Sequence, residues 1–235
     1  MQTTDIEYAF DGIRLVGELS VDDSRRGTRP AILVSHEGNG LTDHARGRAR
    51  ALAGLGYAAF ALDYYGGGQA LPADQVGGRF GELNGDRLRT RAIAQAGLDV
   101  LLASEYADAG QVAAIGYCFG GTMSLELARG GADLRAVVGF HSGLATDQPA
   151  GPGTIAGPVL ACIGADDPFI PAGQRLAFED EMRAAGADWR LNLYGGAVHS
   201  FTNSGADGSN PALKYDQQAD ERSWRAMLDL FTEVF

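Results

Sequence analysis

The sequence predicts an α/β fold with a mostly parallel central sheet and helices on both of its faces. Three observations lead to this prediction: the apolar strand candidates are continuous rather than alternating, helical stretches separate them, and glycine makes up 34 of 235 residues. Continuous apolar strands are typical of parallel sheets buried on both faces, and abundant glycine suits their tight connecting turns. No repeat or linker divides the chain, so we expect a single domain over residues 1–235.

The first elements follow from local patterns. A hairpin is expected from Ile6 to Val21, because two alternating segments flank the turn pair Asp11-Gly12. The apolar run Ala31–Ser35 predicts the first buried strand. A helix should follow from Asp43, which can cap it, to about Ala53, where a Gly-Leu-Gly sequence ends it.

The remaining elements alternate in the same way. Apolar runs predict strands at Tyr57–Leu62, Val112–Gly116, Ala136–Phe140, Val159–Ile163 and Trp189–Tyr194. Helical patterns predict helices at Asp86 to about Ser104, Gly120–Ala128, Gly173–Ala185 and Asp216 to about Glu233. A long glycine-rich connection, for which we predict no helix, joins Leu62 to Asp86. Ligands of such sheets bind at the carboxyl ends of the strands, so the residues that follow each strand are the candidates for function.

Composition limits the classes of partner and location. Acidic residues outnumber basic ones 30 to 19, a net charge of −11 that disfavours nucleic acids and anionic membranes as partners. No apolar run reaches the ~18 residues of a membrane span, and the first residues lack a signal-peptide pattern. We therefore expect a cytoplasmic protein whose two cysteines, Cys118 and Cys162, are reduced thiols.

The sharpest local signal is the sequence Gly-Tyr-Cys-Phe-Gly-Gly at 116–121, between a predicted strand and a predicted helix. It matches the nucleophile elbow of hydrolases, with Cys118 in the nucleophile's position. So tight a turn requires glycine at 116 and 120, and it raises the cysteine above the sheet edge at a helix N-terminus, which favours a thiolate. The N–H of Phe119 would point at a developing oxyanion.

A cysteine nucleophile needs a base and a group that orients the base. His199 follows the last strand in a glycine-rich loop, and Asp167 follows the Val159–Ile163 strand. The order nucleophile, acid, base is that of α/β-hydrolases. Asp166 is the alternative acid, and a turn or capping role is the alternative for either aspartate.

These motifs together resemble the dienelactone hydrolase family, the cysteine branch of the α/β-hydrolases, over nearly the whole chain from about Ile13. The resemblance implies a hydrolase of small esters or lactones, similar to carboxymethylenebutenolidase, with an α/β-hydrolase fold and no cofactor. It places the acid at Asp167, four residues before a proline. It also places at Glu37 the glutamate that the family has after the first core strand. In this family pattern Glu37 holds or takes the Cys118 proton, His199 serves acyl-enzyme hydrolysis, and Gly38 is the second oxyanion donor.

A metal site is not expected at His36, Glu37 and His44, because their spacing does not match a zinc motif. Aromatic and polar residues near the strand ends are expected to form the substrate pocket instead. They are Tyr64, Tyr65, His141 and Phe201.

The family's carboxylate-binding arginines have no match in this chain. Asn203 stands four residues after His199, and no arginine lies at 63–68. We therefore expect neutral small esters or lactones to be preferred, unless an arginine arrives from the segment 79–91.

The alternatives to a hydrolase are a non-catalytic small-molecule-binding protein on the same scaffold and a redox sensor that uses Cys118 and Cys162. The oligomeric state is left open.

Overall fold

A computed structural model describes all 235 residues and shows an eight-stranded sheet with six helices. The strands are β1 (Gln2–Phe10), β2 (Ile13–Val21), β3 (Arg29–Ser35), β4 (Ala58–Leu62), β5 (Ala107–Tyr117), β6 (Ala136–Phe140), β7 (Val159–Gly164) and β8 (Trp189–Tyr194). The helices are α1 (Asp43–Leu55), α2 (Ala73–Asn84), α3 (Arg87–Leu102), α4 (Phe119–Arg129), α5 (Ala172–Ala185) and α6 (Gln217–Val234). None of the helices has the length and apolar content needed to cross a membrane.

The sheet confirms the predicted fold class. Its strand order is β1-β2-β4-β3-β5-β6-β7-β8, and the six strands from β3 to β8 run parallel. The predicted hairpin supplies β1 and β2, and β2 pairs antiparallel with β4. Because β3 and β5 are neighbours at the centre, the loops that follow them meet at one edge of the sheet.

Two apolar clusters cover the two faces of this sheet. Residues of α2, α3, α4 and α5 belong to one cluster and residues of α1 and α6 to the other. Helix α4, which begins directly after Cys118, is buried along its whole length. The nucleophile candidate is therefore attached to the most enclosed helix of the fold.

Three local predictions differ from the structure. Helix α2 lies in the connection for which no helix was predicted, where three glycines lower helix propensity. Packing compensates for this, since the Phe80 ring of α2 meets the Phe119 ring edge-on with centroids 5.2 Å apart. Thr42 rather than Asp43 is the N-cap of α1, and Asp43 lies in the first turn. Strand β5 begins five residues before Val112 and continues the ladder toward Arg29.

Candidate active site

Four candidate residues converge at the carboxyl edge of the parallel sheet. Glu37 follows β3, Cys118 follows β5, Asp167 follows β7 and His199 follows β8. Glu37, Cys118 and His199 line the same cavity of about 540 Å³. Parallel strands bring their carboxyl ends together, so residues far apart in sequence become neighbours here.

Cys118 occupies a strained turn between β5 and α4. Its backbone has φ 54° and ψ −120°, a conformation that side-chain-bearing residues rarely adopt. The flanking glycines are required by contact: a Cβ on Gly116 would lie 2.1 Å from the Gly120 carbonyl oxygen, and one on Gly120 would lie 2.2 Å from the Ser35 and His36 carbonyl oxygens. The turn therefore fits against the end of β3 only without those side chains.

His199 bridges the cysteine and a buried aspartate. Its Nδ1 lies 2.7 Å from Oδ2 of Asp167, whose side chain has no exposed surface. Burial alone would lower the pKa of His199, but hydrogen bonds to Asp167 and to the Cys118 side chain raise it to about 10. Oδ1 of Asp167 accepts the N–H of Phe169 at 2.8 Å, whereas Asp166, the alternative acid, is exposed. Cys118 and His199 therefore face the same cavities, with Asp167 behind the histidine.

Glu37 is buried and keeps one carboxylate oxygen unpaired. Oε1 lies 2.6 Å from Nδ1 of His44 and accepts a bond of 3.3 Å from Nδ2 of Asn203. Oε2 is buried without a hydrogen-bond partner. Burial raises the pKa of Glu37, but the His44 contact more than offsets it, so the net shift is downward and the group is ionised at neutral pH.

The two oxyanion-donor candidates lie side by side. Phe119 is the first residue of α4, so its N–H has no acceptor within the helix. Gly38 lies in the loop after β3, and a Cβ built on it would lie 4.0 Å from the Phe119 Cβ. The two residues are therefore neighbours, and each lines a cavity that contains Cys118.

The four residues predicted for the pocket wall are not found in it. Tyr64, Tyr65, His141 and Phe201 are 4% exposed or less and line neither cavity that contains Cys118. Tyr64 stacks on His36 with ring centroids 3.6 Å apart, and its hydroxyl donates to the His36 and Glu37 carbonyls at 2.6 and 3.0 Å. Polar partners beneath the site hold the Tyr64 ring inward, and its aromatic character alone does not predict this.

His141 has a different position from the one expected. Its Nδ1 accepts the Cys118 N–H at 3.1 Å, and its Nε2 lies 2.8 Å from Oγ1 of Thr202. Burial lowers the pKa of His141 well below its usual value, so the ring is neutral. It supports the elbow from behind and does not contact the cavity.

A second cavity, of about 430 Å³, opens on the other side of Cys118 and His199. Its wall is largely apolar and is formed by Phe119 and by side chains that the sequence analysis did not single out: Phe80, Phe169, Ile170 and Leu213. Phe169 directly follows the Asp-Asp-Pro sequence, which is the one signal that could have identified it. The thiol thus lies between a polar cavity and an apolar one.

One arginine of the segment 79–91 reaches the second cavity. Arg87 lines it together with Cys118; its Nη2 donates to the Ala145 carbonyl at 3.2 Å, and its Nη1 is buried without a partner. The other three arginines are paired with carboxylates and line neither cavity that contains Cys118. They are Arg79 with Glu82, Arg89 with Glu82 and Asp11, and Arg91 with Glu126.

Comparisons with known proteins agree with this architecture. The model of the dienelactone hydrolase family matches residues 19–235. A Yersinia pestis protein named as a candidate carboxymethylenebutenolidase is 26% identical over 94% of this chain and 85% of its own. Among solved structures, a metagenomic dienelactone hydrolase-like promiscuous phosphotriesterase is 43% identical over 100% of this chain and 98% of its own, with a TM-score of 0.96. A dienelactone hydrolase from Anabaena variabilis shares the fold, with 20% identity over 97% of both chains and a TM-score of 0.66.

Proposed function

The chain belongs to the dienelactone hydrolase family, and from this premise we propose that it hydrolyses small esters or lactones through an acyl-enzyme on Cys118. The observation that carries the proposal is that the strained Cys118 and His199 line the same cavities, with the buried Asp167 2.7 Å behind His199. A nucleophile, a base and an orienting acid within hydrogen-bond reach are the parts that acyl transfer needs.

In the proposed first step the Cys118 thiolate attacks the carbonyl carbon of the ester. The carbonyl oxygen becomes an oxyanion, which the N–H groups of Phe119 and Gly38 would stabilise. Collapse of this intermediate breaks the bond to the alcohol oxygen, which leaves with the proton that Glu37 took from Cys118, and the acyl group remains as a thioester. In a lactone the alcohol stays attached to the acyl group, since both belong to one ring.

In the second step His199 takes a proton from water, and the resulting hydroxide attacks the thioester carbon. The carboxylic acid leaves and Cys118 is restored as a thiolate. Asp167 fixes the tautomer of His199 and stabilises the imidazolium that forms. His199 then passes its proton to the Cys118 thiolate, which restores the thiol and the neutral imidazole, and the carboxylic acid releases its own proton to water.

Glu37 is the second proton acceptor in this scheme. It is ionised, its Oε2 has no partner and it shares the 540 Å³ cavity with the thiol. We assign to it the Cys118 proton at the time of acylation. Once Cys118 is acylated it no longer raises the pKa of His199, which then becomes available as the base for the thioester. His199 is the competing acceptor of the Cys118 proton, and a Glu37 variant separates the two.

The two cavities that contain Cys118 can hold different parts of one substrate. The polar cavity contains the acidic residues Glu37 and Asp207, whereas the apolar one contains Arg87 and no acidic residue. The expectation of a neutral substrate rested on the lack of an arginine near the thiol, and Arg87 removes that reason. We therefore propose substrates whose apolar arm carries a carboxylate, which a guanidinium binds through charge-assisted hydrogen bonds.

A second candidate activity is the hydrolysis of phosphotriesters, the reaction named for the 43% identical structural neighbour. A phosphotriester is neutral and carries three arms around a tetrahedral phosphorus. The two cavities that meet at Cys118 offer space on both sides for such arms. Turnover of a p-nitrophenyl dialkyl phosphate that is lost in Cys118→Ala would support this activity.

The decisive experiment compares the native protein with Cys118→Ala on p-nitrophenyl acetate. We expect an acetyl adduct on the native protein by intact mass and a loss of turnover of roughly 10⁴-fold in the variant. Undiminished turnover in Cys118→Ala would overturn the proposal. The absence of both turnover and thiol labelling in the native protein would favour the binding-protein alternative.

The redox-sensor alternative conflicts with the sheet geometry. Cys118 follows β5 and Cys162 lies in β7, with β6 between them. Two strand spacings separate the cysteines by about 9–10 Å, beyond the ~7 Å limit between Cα atoms for a disulfide. Burial also raises the pKa of Cys162 to about 12, so this thiol is unreactive.

A further inference from the structure

Glu37 and His44 form a second carboxylate–imidazole pair beside the first, with the order of the two groups reversed. In the pair of Asp167 and His199, the imidazole faces the cavity and the carboxylate lies behind it. In the second pair, Glu37 lines the cavity and His44 contacts it from α1, with Nδ1 2.6 Å from Oε1. His44 lines neither cavity that contains the thiol.

The proton positions in this pair follow from the chemistry of its atoms. An ionised carboxylate only accepts hydrogen bonds, so Nδ1 of His44 carries the proton between the two groups. Nε2 of His44 lies 3.0 Å from the Thr202 carbonyl oxygen and 3.3 Å from Nε of Arg48. Nε2 therefore has two groups within hydrogen-bond distance, and Glu37 is the polar contact of Nδ1.

His44 is in turn held by a network that spans three elements. Arg48, one turn further along α1, donates through Nη2 to the Thr202 carbonyl at 2.7 Å and to Asp220 of α6 at 2.6 Å. The edge of the His44 ring packs on Tyr117, with centroids 4.7 Å apart. These contacts restrict the position of the His44 side chain, as is required of a group that orients another side chain.

Glu37 needs such a partner for a physical reason. Burial disfavours its charged form, and its free oxygen has no hydrogen bond to compensate. The contact with His44 is the largest of the effects that lower the pKa of Glu37. Removing it would leave a buried carboxyl group that is more easily protonated and free to rotate.

We propose that His44 is a positioning residue, which keeps Glu37 ionised and directs Oε2 into the cavity to accept the Cys118 proton. This inference rests on the proposed function, because it gives His44 a role only in the acylation step. It assigns no role to His44 in thioester hydrolysis, which belongs to His199 and Asp167.

Several charged or titratable groups surround Glu37 and define its titration. His44 contacts it from α1, and His36 precedes it at the end of β3. Cys118, His199 and Asp207 share its cavity, and Asn203 adds a neutral amide. Of the titratable groups, His44 is the one whose side chain lies within hydrogen-bond distance of the carboxylate, at 2.6 Å.

Two isosteric variants separate positioning from packing. In His44→Asn the side-chain amide occupies the place of Nδ1 and keeps a donor toward Glu37. In His44→Gln the amide occupies the place of Nε2 and keeps the contact with Thr202, but the donor toward Glu37 is lost. Acylation is followed by the burst of p-nitrophenol from p-nitrophenyl acetate, and thioester hydrolysis by decay of the acetyl adduct in intact mass.

We expect His44→Gln to slow acylation by about 10- to 100-fold, as misplacement of a reacting group does, and His44→Asn to stay within about threefold of native. Thioester hydrolysis should change less than twofold in both. In His44→Gln the acid limb of the acylation profile should move to higher pH, because the pKa of Glu37 is no longer held down. In the background of Glu37→Gln, His44→Gln should have no further effect.

Two results would overturn the proposal while the acetyl adduct still forms on the native protein. One is an acylation rate in His44→Gln equal to that of the native protein. The other is an equal loss of acylation rate in both variants without a shift of its pH profile. If His44→Gln does not fold, His44→Asn decides alone, since slow acylation in a folded His44→Asn also contradicts the proposal. Failure of the proposed function differs from these, because no adduct would then form on Cys118.

Discussion

The backbone N–H of Cys118 donates to Nδ1 of His141 at 3.1 Å and to the Phe140 carbonyl at 2.9 Å. Both acceptors come from the end of β6, so the strained turn is fixed from the side opposite the cavity. The neutral His141 also contacts Thr202, which lies in the same loop as His199. The positions of the nucleophile and base candidates are therefore coupled through one buried imidazole.

Replacing His199 should separate the two proposed steps. Loss of this base in His199→Ala removes the group that activates water, so steady-state turnover should fall by roughly 100-fold or more. Any acetyl-enzyme still formed should accumulate, and intact mass after incubation with p-nitrophenyl acetate measures it. Rapid turnover without accumulation would show that another base hydrolyses the thioester.

Glu37→Gln should slow acylation of Cys118 rather than hydrolysis of the thioester. The amide keeps the size of the side chain but cannot accept the thiol proton, so acylation should slow by roughly 100-fold. Decay of a preformed acetyl adduct should be nearly unchanged, and Cys118 should oxidise more readily in dilute peroxide because the negative charge of Glu37 no longer disfavours a thiolate at Cys118. A variant equal to native in acylation and in oxidation would show that Glu37 has no such role.

The pair of His199 and Asp167 should make stability depend on pH. Folding raises the pKa of His199 from 6.5 to about 10, since the Asp167 and Cys118 contacts outweigh burial. The stabilisation from its charged form is therefore complete below pH 6.5 and lost as the pH rises through about 10. Asp167→Asn should lower the free energy of unfolding in urea more at pH 6 than at pH 10, and equal losses at both would contradict this.

Arg87 should determine the preference for anionic substrates. In Arg87→Gln, kcat/KM for an ester whose acyl arm ends in a carboxylate should fall by about 10- to 100-fold, the value of a hydrogen bond to a charged group. The value for a neutral ester of equal length should change less than twofold. Arg89→Gln is the matched control, because Arg89 pairs with Asp11 and Glu82 and lines neither cavity with Cys118.

Two glycine replacements should have opposite effects on stability. Gly120→Ala forces its Cβ against the carbonyl oxygens of Ser35 and His36, so we expect a loss of about 1–3 kcal/mol in the free energy of unfolding. Gly47→Ala is the control: the position is exposed within α1, and an added Cβ meets nothing within 4 Å. There the better helix propensity of alanine should add about 0.5–1 kcal/mol. A neutral Gly120→Ala would mean that the elbow is not tightly packed.

The parallel sheet and the order of the candidate catalytic residues along it could be predicted from the amino-acid sequence. Continuous apolar runs mark buried parallel strands, and the limits of β6 and β8 agree with those predicted. Cys118, Asp167 and His199 could be singled out because each directly follows a strand, and strand ends meet at one edge. Local patterns carry this information, since periodicity and turn chemistry act over a few residues.

Which side chains face the cavities could not be predicted from the sequence, because it depends on tertiary packing. Tyr64 and His141 follow strands as the site residues do, yet their polar atoms find buried partners and turn inward. Helix α2 forms despite its glycines, because Phe80 packs on Phe119 across the chain. The contact of His44 with Glu37 and the free Nη1 of Arg87 depend on the relative placement of whole elements. Those placements are set by packing between distant segments, which no short stretch of sequence encodes.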